Sequence, residues 1–104
     1  MLLAFLFTAI GISQTRQGPQ YFINELDADQ DGTDTLEFIE LKTNPPNTPL
    51  DGMVVVLFNG NHPVNGSYNV INLNGFTTDS NGLLIIGDNN VPGVDIALGA
   101  SNRI

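Results

Sequence analysis

The 104-residue chain has no cysteine, no tryptophan, a single histidine and only three basic residues, Arg16, Lys42 and Arg103. Without cysteine there is no disulfide framework, no thiol nucleophile and no thiolate metal site. Lipid anchoring through an N-terminal cysteine is excluded as well. The missing Trp and Cys pair exclude an antibody-type domain. With three bases against eleven acids the net charge is −8, so this surface repels a polyanion such as DNA. Divalent cations and basic partners are attracted. No apolar run reaches the roughly 20 residues a spanning helix needs, and no window has the period of an amphipathic helix.

What the chain does have is acid, and it is concentrated. Six of the eleven acidic residues lie between Asp27 and Leu41. Asp27, Asp29 and Asp31 alternate, Gly32 follows and Asp34 comes two residues later. Hard carboxylate oxygens at alternate positions, then a Gly that permits a sharp turn, open a calcium loop. A complete EF-hand needs a bidentate Glu at loop position 12. Counted from Asp27 that position is Phe38, with Glu37 one short and Glu40 two beyond. An EF-hand is therefore not expected. A looser calcium site is, built from Asp27, Asp29, Asp31 and Asp34 with backbone carbonyls. The competing reading is an Asp-rich turn whose side chains bond their own backbone.

Met1 to Ile12 reads as the apolar core of a signal peptide, with Gly11 and Ser13 at the −3 and −1 positions of a cleavage site before Gln14. The basic residue usual near the start is missing, which suggests a shortened N-terminus. The alternative is a short buried strand or helix of the domain itself. Residues 1–13 are thus expected to be a leader, 14–20 a linker, and 21–104 one domain.

From Tyr21 the pattern is strand and turn. Strands are expected over Tyr21–Leu26, Glu37–Thr43, Met53–Phe58, Tyr68–Leu73, Leu83–Gly87 and Val94–Leu98. In the second, Ile39 and Leu41 share one face and Phe38, Glu40 and Lys42 the other. Asn44 to Pro49 holds three prolines and cannot continue a ladder. Met53–Phe58 is a continuous apolar run, typical of a central strand buried on both faces. Asp51-Gly52, Asn59-Gly60, Asn65-Gly66, Asn74-Gly75 and Asn81-Gly82 mark turns, the Asn-Gly pairs of the kind tight hairpins demand. The expected core is Phe22, Ile39, Leu41, Val54, Val56, Phe58, Leu84 and Ile86, and the expected class is an all-β antiparallel sandwich or partly closed barrel.

Ile23-Asn24-Glu25-Leu26, the Asp/Gly loop and Glu37-Phe38-Ile39-Glu40-Leu41, taken in order, resemble the opening of the lamin-tail domain family in its bacterial secreted branch. Leu50-Asp51-Gly52 before an apolar strand, Gly75-Phe76-Thr77-Thr78-Asp79, and Asn81-Gly82-Leu83-Leu84-Ile85-Ile86-Gly87 extend the likeness. It covers Tyr21 to the end in separated short motifs. The resemblance implies an immunoglobulin-like antiparallel β-sandwich. It implies a non-catalytic module, found beside extracellular nuclease or other hydrolase domains or on cell-surface proteins. It also implies at least one more strand after Ile104, so that the domain is expected to be incomplete at its C-terminus. The basic surface of the nuclear relatives is absent, so their DNA binding is not carried over.

Other chemistry is sparse. His62, in Asn-Gly-Asn-His-Pro, reads as a solvated loop residue rather than a ligand. Glu37 and Glu40 suggest a carboxylate pair, but residues three apart on one strand point to opposite faces. The simpler reading has one in solvent and the other bonding backbone amides near the loop. Asn65-Gly66-Ser67 is a formal glycosylation sequon. The sequence is thus expected to be no enzyme but a secreted or cell-surface binding module. Its partner would be a protein or another domain of the same polypeptide, with no membrane span in the mature chain. The alternative is the N-terminal fragment of a larger extracellular hydrolase, such as a nuclease, with catalytic residues beyond Ile104.

Overall fold

A computed structural model describes residues 2–5, 18–28, 35–59, 66–99 and 104. These residues form seven strands and no helix: β1 (Leu2–Phe5), β2 (Gln20–Asp27), β3 (Phe38–Asn44), β4 (Val54–Asn59), β5 (Gly66–Asn72), β6 (Leu83–Asp88) and β7 (Ile96–Leu98). They lie in two open sheets, ordered β1-β4-β5 and β2-β3-β6-β7. Every pairing is antiparallel except β6 with β7. Six of the strands fall where alternation and turn residues put them. The seventh, β1, lies within the apolar segment read as a leader and pairs with β4, Leu2 opposite Leu57 and Phe5 opposite Val54.

One apolar core takes side chains from both sheets. Ile39, Leu41, Leu84, Ile86 and Leu98 come from one, Val55, Leu57 and Ile71 from the other, and Leu50 and Leu73 from the connections. The expected core is half right. Ile39, Leu41, Leu84 and Ile86 are buried. In β4, however, the buried residues are Val55 and Leu57, while Val54, Val56 and Phe58 are half-buried on the outer face. A continuous apolar run carries no period, so its phase cannot be read from the run itself. The strand is central in its sheet, as expected, but is not buried on both faces.

Phe22 also leaves the core. It stands opposite Lys42 on the outer face of its sheet and is 49% exposed. Its neighbour Tyr21, opposite the buried Thr43, packs against the core instead. A bulge at Asn24 then resets the alternation: Ile23 pairs Leu41, and Glu25 pairs Glu40. Ile23 and Leu26 therefore sit on the core side of the sheet, opposite the buried Leu41 and Ile39. Both are nonetheless 40–47% exposed. Strand β2 overhangs the core, and nothing among the described residues covers that side of it.

The chain crosses between sheets after β3 and again after β5, and the two crossings are laced together. Asp51 Oδ1 accepts from the Gly75 N–H, and Asn74 Oδ1 accepts from the Gly52 N–H. Pro49 and Thr77 form an isolated bridge. Below them lie three buried hydroxyls, Thr43, Thr48 and Thr78. One proton arrangement satisfies all three. Thr43 and Thr48 donate to the Pro45 carbonyl at 2.9 and 2.7 Å. Thr78 donates to Thr43 Oγ1 at 2.6 Å and accepts the Thr48 N–H at 2.9 Å. The Asp51-Gly52 and Asn74-Gly75 turns close with Met53 N–H to Leu50 O and Phe76 N–H to Leu73 O. Only their glycines have positive φ, 79° and 84°. That is the pattern of a type II turn, not of the primed hairpin turn, which puts positive φ on the first central residue. Both turns serve crossings between sheets, where the twist of a hairpin is not required.

Candidate functional site

The acid-rich segment is the connection between β2 and β3. Asp27, the last residue of β2, pairs in register with Phe38, the first of β3. Between them runs a ten-residue loop, 28–37. Of the four aspartates expected to hold calcium, Asp27 is placed at the mouth of this loop. Asp29, Asp31 and Asp34 lie outside the described residues, as does His62. Among the described residues, no group of three or more His, Asp or Glu is arranged to hold a metal ion.

The two glutamates after the loop separate, as the alternation requires. Glu40 is half-buried on the outer face and its Oε1 accepts from Asn24 Nδ2 at 2.7 Å. Glu37 is 3% exposed, on the core side at the mouth of the loop. Its backbone pairs with β6: the Glu37 N–H donates to Asp88 Oδ2 at 3.1 Å, and the Asp88 N–H donates to the Glu37 carbonyl at 3.0 Å. The Asp88 carboxylate thus bonds a backbone amide beside the loop. Asp88 is itself buried, and sequence reasoning missed it. The one signal was its place between a strand end and Asn89-Asn90, where an Asp commonly bonds nearby backbone. Gly87 makes this close packing possible, because a Cβ there would lie 2.5 Å from the Glu37 carbonyl oxygen and 2.8 Å from Phe38 Cβ.

Several other acids likewise serve the backbone. Asp79 Oδ1 accepts from Asn81 and Leu83 N–H groups, and Asp95 Oδ2 from the Ile85 N–H. Together with Asp51 and Asp88 these carboxylates hold turns and strand ends. A further pair of acids lies between β2 and β3. There Glu25 and Glu40 stand directly opposite one another on the outer face, an arrangement that is unfavourable for like charges.

Beside the loop, on the same outer face, Asp27, Leu36, Phe38, Val91 and Pro92 line a cavity of about 190 Å³. Four of these five residues are apolar, and Asp27 is the one acid among them. The cavity is smaller than the ~300–1,000 Å³ of a typical small-molecule site, and suits one side chain.

No protein-family model, curated protein or solved structure matches the chain.

Proposed function

We propose that the chain is a non-catalytic, secreted or cell-surface binding module, an immunoglobulin-like sandwich related to the lamin-tail domains, whose acidic loop is ordered by calcium. The observation that carries this reading is the placement of the loop. Ten residues carrying three of the aspartates join an edge strand to an inner strand at one end of a two-sheet scaffold. Binding loops are commonly displayed in this way, on a rigid frame. The shared core and mostly antiparallel pairing support the sandwich.

Asp27, Asp29, Asp31 and Asp34 offer hard oxygen donors, which suit calcium. A divalent cation among them offsets their mutual repulsion. Glu37 or Glu40 completes the shell only if the loop folds back on β3. An affinity in the range of extracellular modules, about 10⁻⁴–10⁻³ M, is expected. At about ten millimolar calcium, linkage then stabilises the fold by roughly 1.4–2.7 kcal/mol. Thermal melts with chelator and with calcium test this, in the parent chain and in Asp29→Asn/Asp31→Asn. The parent should gain several degrees and the double variant little. A melting temperature that ignores calcium would leave the loop as an Asp-rich turn.

A further inference from the structure

Strand β2 combines three properties. Among the described residues it has a neighbour on one side only. It runs for eight residues with no Lys and no Pro, the residues that commonly block an open edge. Its side chains are sorted by face: Ile23 and Leu26 lie exposed on the core side, Phe22 and Glu25 on the outer side. We propose that this edge receives an extended polypeptide segment of a partner, added as a further strand, whose alternate residues are apolar and basic.

The sorting by face sets the partner's chemistry. Residues of an added strand fall alternately on the two faces. Those on the core side would lie beside Ile23 and Leu26 and extend the apolar surface over the overhang. Those on the outer side would lie beside Phe22 and Glu25, with Glu40 one strand further in. Among the described residues Lys42 is the one base on this face, and Glu25, Asp27 and Glu40 outnumber it. Basic residues at those outer positions are favoured, and acidic ones opposed. Charge also disfavours a second copy of this chain, because pairing two β2 edges would bring together two molecules of net charge −8. The Asn24 bulge divides the edge, so the added strand meets it in two short ladders. Backbone hydrogen bonds supply the affinity in strand addition, and alternate side chains the selectivity.

This inference rests on reading the chain as an interaction module, and its test is independent of calcium. The probe is a capped peptide of alternating Val and Lys, matched in length to the eight residues of β2. It is titrated into the full ¹⁵N-labelled chain in chelator, and amide shifts are followed. A Val/Glu peptide and a Val/Lys peptide N-methylated at alternate residues are the controls. The Val/Lys peptide should bind and shift the amides of Gln20–Asp27, and neither control should. Glu25→Gln should weaken it about two- to fivefold. Ile23→Lys, at an exposed position that leaves the core intact, should weaken it more than about tenfold. Undiminished binding of the N-methylated peptide, or shifts elsewhere than β2, would overturn strand addition while leaving a binding module in place. Absence of any binding also overturns it. The calcium melts then decide separately whether the wider reading stands, since they do not involve this edge.

Discussion

At the scale of single residues, the buried hydroxyls under the crossings carry more weight than their size suggests. Thr78 is 2% exposed and joins both crossings through Thr43 and Thr48. Thr78→Val keeps the shape and removes the oxygen. It leaves the Thr48 N–H without that acceptor and Thr43 Oγ1 without that donor, in a place water does not reach. An unsatisfied buried polar group costs about 1–3 kcal/mol. Thr78→Val should therefore lower the unfolding free energy by about that amount, read from urea denaturation with the slope unchanged. Thr78→Ser keeps the hydroxyl and should lose less, the difference from Val reporting the hydrogen bonds. A Thr78→Val variant as stable as the parent, with Thr78→Ser destabilised, would mean that packing of the methyl group, not the hydroxyl network, matters here.

At the scale of elements, the phase of β4 makes the sharpest test. Val55 is 1% exposed and Val56 is half-buried on the outer face. Val55→Asp places an unpaired charge in the core, a cost of several kcal/mol unless the group neutralises, against a total stability on the order of 5–15 kcal/mol. It should not fold. Val56→Asp should fold with a modest loss. Circular dichroism and denaturant melts of the pair check the phase, and the reverse order would place β4 the other way round. The same residues explain what could be read from the sequence. Strand positions were legible because Gly, Pro and Asn punctuate the chain, and the faces of β3 were legible because Ile39 and Leu41 alternate with charged or aromatic neighbours. The phase of Val54–Phe58 was not, since every side chain in the run is apolar. Nor was the exposure of Phe22, Ile23 and Leu26, because it depends on a bulge at Asn24 and on what lies across the core, neither of which is a local property. Of the candidate site, the sequence located the loop and the divergence of Glu37 from Glu40. It did not reveal Asp88, whose partner is 51 residues away.

At the scale of the whole molecule, the segment expected to be a leader also supplies β1, which pairs with β4. If the leader is cleaved before Gln14, β4 loses the strand that pairs Leu57 to Val54. Its unpaired backbone would then be open beside Val54, Val56 and Phe58, which are half-buried, and Val70, which is 58% exposed. An apolar edge of this kind is a site of strand-to-strand association. The chain beginning at Gln14 should therefore self-associate more than the chain beginning at Met1. Sedimentation velocity at matched concentrations would show it as a larger, concentration-dependent coefficient. Val56→Lys in the shortened chain should reverse the effect, because a lysine on that face opposes pairing of two copies. N-terminal sequencing of exported material states which form the cell makes. A start at or near Gln14 fits the leader, and an intact Met1 makes β1 a permanent strand of the domain. Monomeric behaviour of both chains alike would show that β1 does not protect the β4 edge, whichever form is exported.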